Sequence, residues 1–394
     1  MSRCIDTDCI HLNEKRPNNE IKHYGSISFP IYQTATFAHP AVGKSTGFDY
    51  SRLQNPTRDQ LEKIVASLEH GIDAFALSSG MAAIALLFEI FEPGDHIITD
   101  SDLYGGSIRL FNNVSRKNAL QISSIELAHE NIEKFITPKT KAIYIETPTN
   151  PMMNVYDIEN LSQIAKAHGL LLIVDNTFLS PYFQNPLDLG ADVVVHSGTK
   201  YLGGHNDTIA GFIITNNPAI QEKLRFLIKT TGAGLAPFDS WLVLRGIKTL
   251  GIRMERAQDN AKQIAEFLLH EKDVTQVIYP GLKDHPGYAI MKKQARGFGA
   301  MLTFKVSSKE FALSILQKVN LIQFAESLGG VETLLTYPIT QTHADVPPDV
   351  LARNGITDTT LRLSVGIENA KDLIQELKDV FQQIREEGPC QNAI

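Results

Sequence analysis

Lys200 closes the stretch Val193-Val194-Val195-His196-Ser197-Gly198-Thr199-Lys200. Three β-branched apolar residues in a row read as a short strand buried on both faces, the pattern of a parallel sheet. Such a run has no use for a lysine unless the strand's end opens into a site. An amine held there, partly desolvated and beside other cations, loses proton affinity and becomes a nucleophile suited to a Schiff base with a carbonyl compound. The bland alternative is a surface lysine that merely follows a strand, and other residues must decide between the two.

Ligands of open α/β sheets sit beyond the carboxyl ends of the strands, so the polar residues at those ends carry the argument. Ser78-Ser79-Gly80-Met81 falls between a strand and a helix, where backbone N–H groups form an anion cradle suited to a phosphate. Asp175 ends the apolar run Leu171-Leu172-Ile173-Val174, placed to hold a protonated ring nitrogen. Asn150, in Thr147-Pro148-Thr149-Asn150-Pro151, can donate to a ring oxygen, and Tyr104, before Gly105-Gly106, can stack on a flat ring. Each has an ordinary reading: a helix cap for Ser79, a turn cap for Asp175, an Asn-Pro turn for Asn150. Together, an anion cradle, a stacking aromatic, a carboxylate and a Schiff-base lysine are what pyridoxal 5′-phosphate (PLP) requires.

The elements that must position these groups follow from periodicity. Residues 1–56 are polar and Gly/Pro-rich, an extended arm rather than a packed unit. Within it, Ala38 to Ser45 nearly matches a phosphate-binding loop, but the first glycine is missing and no helical pattern follows. The first helix is expected from Thr57, with Thr57 and Gln60 as a capping box and Gly71 as its stop. Strands are expected at 74–77, 96–99, 120–125, 142–146, 170–174, 192–195 and 209–215, with helices at 81–91, 108–114 and 161–168. That alternation implies βαβ units and a mostly parallel sheet with helices on both faces, over 57–250. A long helical region spans 238–269 with a weak point at Gly251. Beyond it, strands at 274–279, 300–306, 322–325 and 361–365 and helices at 310–319 and 370–386 suggest a smaller α+β domain over 251–394.

Composition excludes several classes. With 394 residues, 43% hydrophobic and 21% charged, the chain can bury a large core and is not disordered. A net charge of −7 without a basic block argues against nucleic acid. No run of apolar residues is long enough to span a membrane. The polar start is unlike a signal or transit peptide. Cys4, Cys9 and Cys390, all near the termini, argue against a disulfide framework and for a cytoplasmic protein. The sequon Asn206-Asp207-Thr208 is then without consequence. A nicotinamide dehydrogenase would need a glycine fingerprint after a strand, and Gly232-Ala233-Gly234 lacks both the strand and the third glycine. His196, His205 and His343 are scattered rather than spaced as metal ligands, so no metal is expected. A non-catalytic protein on the same fold would bind no PLP and be colourless.

The ordered set Ser-Ser-Gly-Met (78–81), Asp-Leu-Tyr-Gly-Gly (102–106), Glu-Thr-Pro-Thr-Asn-Pro (146–151), Val-Asp-Asn-Thr (174–177) and His-Ser-Gly-Thr-Lys (196–200) resembles the PLP-dependent transsulfuration enzymes of cysteine and methionine metabolism. The resemblance runs from about Gly25 to Phe381. It implies the fold type I of PLP enzymes (aspartate-aminotransferase-like), with Lys200 as the Schiff-base lysine and proton shuttle. Asp175 would pair with the ring nitrogen, Tyr104 would stack and assist catalysis, Asn150 would donate to the ring oxygen, and Gly80, Met81, Ser197 and Thr199 would bind the phosphate. Tyr50 and Arg52 would reach the phosphate of a neighbouring subunit, so the active sites would be shared in a homodimer or homotetramer. Arg362 would clamp the carboxylate of an amino-acid substrate, a bidentate task that lysine does poorly, with Ser327, Glu326 and Arg109 also meeting substrate. Methionine γ-lyases differ, carrying a cysteine in place of Gly106 and an apolar residue in place of Glu326. The stretches Ser45 to Tyr50, Asp102 to Phe111 and Thr336 to Asp345 look most like bacterial cystathionine γ-synthases. The expected reaction is therefore γ-replacement on an O-acyl-homoserine, with cystathionine γ- or β-lyase as the alternative.

Overall fold

The computed structural model describes residues 4–11 and 23–388. The arm expected over 1–56 falls partly outside that range, as does Cys390.

The first sheet comprises β1 (Asp73–Leu77), β2 (His96–Asp100), β3 (Gln121–Ile125), β4 (Thr140–Glu146), β5 (Leu171–Asp175), β6 (Val193–Ser197) and β7 (Gly211–Thr215), in the order β1-β7-β6-β5-β4-β2-β3. All neighbouring strands from β6 to β3 are parallel, and β7 alone runs against them, between β1 and β6. Both faces are covered, as the unbroken apolar runs require. Val193 and Val195 enter one hydrophobic cluster and Val194 another, and Ile173 likewise faces away from Leu172 and Val174. The fold is the α/β architecture expected, with helices on both sides of a mainly parallel sheet.

The second sheet comprises β8 (Val274–Ile278), β9 (Met301–Val306), β10 (Gln323–Phe324), β11 (Leu334–Thr336) and β12 (Thr360–Ser364), in the order β10-β11-β12-β9-β8. Helices Lys309–Lys318 and Ala370–Glu387 pack beside it. The helix Leu250–Leu269 joins the two units, and one hydrophobic cluster containing Leu61, Phe212, Met254, Leu302 and Phe381 runs through both.

Several local readings need correction. The first long helix is Pro56–Leu68, and its cap is Asn55, not Thr57: the Asn55 side chain accepts from the Thr57 N–H at 3.0 Å. Thr57 lies inside the helix, where its hydroxyl donates to the Pro30 carbonyl and accepts from the Tyr32 N–H. The region expected as one helix over 238–269 is two, Pro237–Ile247 and Leu250–Leu269, broken before Gly251. Ile5–His11 is a helix that buries Cys9 in the core, so this part of the N-terminal segment is packed rather than extended. The stretch Ala38 to Ser45 needs no correction: as its sequence indicates, no helix follows directly, and the chain makes a tight turn bridging Ala41 and Lys44.

Asn55 is fully buried and also donates to the Tyr32 carbonyl and to Ser51 Oγ, both at 2.9 Å. It therefore fixes both the helix start and the preceding segment that carries Tyr50 and Arg52. Asn55→Ala is expected to destabilise the protein by about 2 kcal/mol, the sum of a lost cap and unpaired buried groups. Denaturant titration measures this, and a change under about 0.5 kcal/mol would show that the cap contributes little.

Candidate active site

The carboxyl ends of the parallel strands open onto a cavity of about 330 Å³. β1 leads through Ser78 and Ser79 into the helix Gly80–Phe88. Ser79 caps it by accepting from the Ala82 N–H at 3.0 Å, which leaves the first N–H groups of the helix pointing out. Close approach here depends on glycine. A Cβ on Gly80 would lie 2.9 Å from Ser197 Cβ, and one on Gly211 would lie 2.0 Å from the Ser79 carbonyl oxygen. Gly80, Met81, Ser197 and Thr199 all line the cavity.

Lys200 sits just past β6 and lines the same cavity. Its amine donates to Ser327 Oγ at 2.8 Å. Burial, then the nearby Arg362 charge, lowers its pKa to about 8, against a pull upward from Glu326. Ser327 holds a backbone φ of +83°, a left-handed conformation uncommon for a side chain other than glycine's. The strain is held in place because the Ser327 carbonyl accepts from Arg362 Nη2 at 2.8 Å while its hydroxyl receives Lys200.

Arg362, on β12, is 1% exposed. Nη1 donates to Asn150 Oδ1 at 2.9 Å and Nη2 to Thr336 Oγ1 at 3.0 Å, while Nε has no partner. Among the described residues it makes no ion pair, and burial lowers its pKa to about 10. A buried guanidinium without a counter-ion is costly, so the site is built for an anion that arrives with the ligand. Since Arg362 occupies the Asn150 oxygen, the Asn150 amide nitrogen remains to donate into the cavity. Asp175 accepts from the Thr177 N–H at 3.0 Å, and Thr177 Oγ1 in turn accepts from the Ser197 N–H at 2.8 Å, tying the ends of β5 and β6 together. Tyr104 and Glu326 complete the predicted residues along the wall.

Three predicted residues lie elsewhere on this chain. Arg109 projects from the helix Gly105–Leu110 and pairs with Asp345, both well exposed. Arg52 donates to the Lys229 carbonyl at 2.5 Å with its guanidinium over the Tyr50 ring, outside the cavity. Sequence reasoning also passed over Glu146 and Thr177, which line the cavity. The signal for Glu146 was available: like Asp175, it is an acid that ends an apolar strand run.

These groups fit PLP on structural grounds: a capped helix start for a phosphate, a half-buried acceptor at Asp175 and a cavity amine of lowered pKa. Such a cavity on this doubly covered sheet defines a PLP-dependent enzyme of fold type I. The family described as Cys/Met metabolism PLP-dependent enzyme matches residues 6–382, and the chain belongs to it. The chain is 46% identical over 361 residues to cystathionine gamma-lyase of Bacillus subtilis, covering 91% of this chain and 95% of that one. It is 44% identical over 387 residues to the cystathionine gamma-synthase/O-acetylhomoserine (thiol)-lyase of the same organism, covering 98% of each. The solved structure of cystathionine gamma-lyase from Lactobacillus plantarum complexed with L-serine superposes with a TM-score of 0.93 at 42% identity, covering 97% of this chain and 100% of that one. No helix among the described residues is long and apolar enough to cross a membrane.

Proposed function

We propose that the enzyme joins an O-acyl-homoserine and cysteine by γ-replacement to give cystathionine, and that it also takes sulfide in place of cysteine to give homocysteine. The observation that carries this reading is that Arg362 and Glu326 line one cavity that also holds Lys200. Arg362 offers a buried clamp for one carboxylate, and Glu326, whose charge acts on both Lys200 and Arg362, offers an acceptor for a second ammonium group. A molecule with two amino-acid ends uses both. Gly106 supports setting methionine γ-lyase aside, because a Cβ there would lie 2.4 Å from Tyr104 Cε1.

Bound PLP supplies an electron sink that acidifies the carbons next to the substrate nitrogen. The chain's own residues do the rest. Arg362 fixes the carboxylate and so the direction of the substrate chain. Lys200, neutral at moderately alkaline pH, removes the α-proton and carries protons to the neighbouring carbons. Ser327 holds the amine while it is free, and Tyr104 would stack on the ring. Tyr50 and Arg52 serve the phosphate of a neighbouring copy, a role supported by their place outside this chain's cavity and by the lack of any cation among Gly80, Met81, Ser197 and Thr199. Arg109, paired with Asp345 in this structure, would turn to meet the second amino-acid end of the ligand together with Glu326.

The second reading is cystathionine γ- or β-lyase, favoured by the likeness to the Bacillus subtilis γ-lyase. A product assay separates them. O-acetyl- or O-succinyl-homoserine with cysteine is expected to give cystathionine, with little keto acid from cystathionine alone. Rapid 2-oxobutyrate or pyruvate from cystathionine, without synthesis, would replace the proposal with γ- or β-cleavage.

A further inference from the structure

Glu146 ends β4 as Asp175 ends β5, and the two are partners in the parallel ladder. Their carboxyls therefore emerge side by side, and both line the cavity. Asp100, the last residue of β2, and Asp102, just past it, add two more carboxyls, both buried. Asp100 accepts from Tyr156 Oη at 2.7 Å, and Asp102 Oδ2 accepts from Thr149 Oγ1 and from Asn154 Nδ2 at 3.0 Å, while Asp102 Oδ1 has no partner.

Desolvated carboxyls this close cannot all be ionised, so protons must be retained among them. The donors say where the charge stays. Burial pushes the Asp175 carboxyl up as well, but against that it receives the Thr177 N–H, a long contact from Tyr144 Oη at 3.5 Å, and the field of His196. Glu146 has one donor, the Tyr104 N–H, shared by its two oxygens at 3.0 and 3.2 Å. Burial first, and then the charges of Asp175, Asp102 and Asp100, hold its carboxyl well above the usual carboxylate range. Glu146 also faces the cavity, so an acidic O–H there has room to donate.

We propose that Glu146 is a positioning residue that works as a neutral carboxylic acid, fastening the main chain of Tyr104 to the floor of the cavity and leaving Asp175 as the anion available to the cofactor. The Tyr104 ring is already confined on one side, where any Cβ on Gly106 would meet both it and Met81 Sδ, at 2.4 and 3.0 Å. Glu146 fixes the other constraint, the backbone from which the ring projects. The role is independent of which reaction the enzyme catalyses.

The test uses Glu146→Gln, Glu146→Ala and Glu146→Asp, each prepared without PLP and then titrated with it. The infrared difference between wild-type and Gln proteins at neutral pH is expected to show the loss of a carboxylic-acid carbonyl band; loss of a carboxylate band instead would overturn the proposal. Glu146→Ala is expected to weaken PLP binding about tenfold, or ~1.4 kcal/mol, and Gln to restore it because its carbonyl still accepts the Tyr104 N–H without charge. Asp, too short to reach, is expected to stay weak. Binding by Asp that exceeds that of Gln, or Ala binding as tightly as wild type, would overturn the proposal. Should the Ala protein fail to fold, Gln decides alone: PLP affinity within about threefold of wild type supports the assignment, and a loss of about tenfold overturns it.

Discussion

Lys200→Ala is expected to abolish the visible absorbance of the PLP-loaded protein and to lower turnover by about a thousandfold or more. In the proposed role the same amine would bind the cofactor and move the protons, so no other group could take over both tasks. Lys200 donates to Ser327 from a half-buried position, a contact that neither Tyr104 nor Glu326, which line the same cavity, makes. The protonation behaviour of the amine can be read without the cofactor. A lysine lowered to about 8 is neutral above that pH and protonated below it. Acylation of Lys200 in the PLP-free protein is therefore expected to rise through pH 8 and level off, while surface lysines go on rising toward their ordinary value of about 10.4. Residual activity of Lys200→Ala near the wild-type level would remove the central assignment. A labelling profile that matches the surface lysines would show that burial and Arg362 do not act on the amine as argued.

Much of the fold could be read from residue patterns because both faces of the sheet are buried. Val193 to Val195 and Leu171 to Val174 have no polar position, a pattern that only a covered parallel strand explains. The direction of β7 was harder, since Gly211-Phe212-Ile213-Ile214-Thr215 is apolar whichever way it runs. A cue was present: no helix lies between β6 and β7, and a parallel neighbour would need such a crossover. β11 escaped notice because three residues are too few to show a period. The cap at Asn55 was missed because Thr57 and Gln60 mimic a capping box, while the true cap is set by bonds to nearby Ser51 and to Tyr32, remote in sequence.

The site divides in the same way. Residues at strand ends (Gly80, Asn150, Asp175, Ser197, Thr199 and Lys200) could be placed from sequence because the sheet itself brings strand ends together. Arg362 and Ser327 come from the second unit, and only a resemblance pointed to them, since no local pattern tells that they fold back onto the first sheet. The roles of Asp100, Asp102 and Glu146 depend on mutual proximity at fixed register, which pairing creates and composition does not show.

Arg362→Lys is expected to lower kcat/KM for amino-acid substrates by about a hundredfold or more, chiefly through KM, while PLP stays bound. The guanidinium is anchored by Asn150 Oδ1, the Ser327 carbonyl and Thr336 Oγ1, and its unpartnered Nε sits within the same buried region. An ammonium group keeps the charge but cannot hold those three acceptors and a carboxylate in one plane. Because Arg362 also holds Asn150 and Ser327, its loss should loosen the rest position of Lys200, so kcat should fall as well, by less. A substrate analogue without a carboxylate separates the two effects. If Arg362 acts by clamping that group, the affinity for the analogue will barely differ between wild type and Arg362→Lys, whereas affinity for the parent amino acid will fall. Equal losses for both would assign Arg362 to shaping the cavity rather than to recognising the carboxylate.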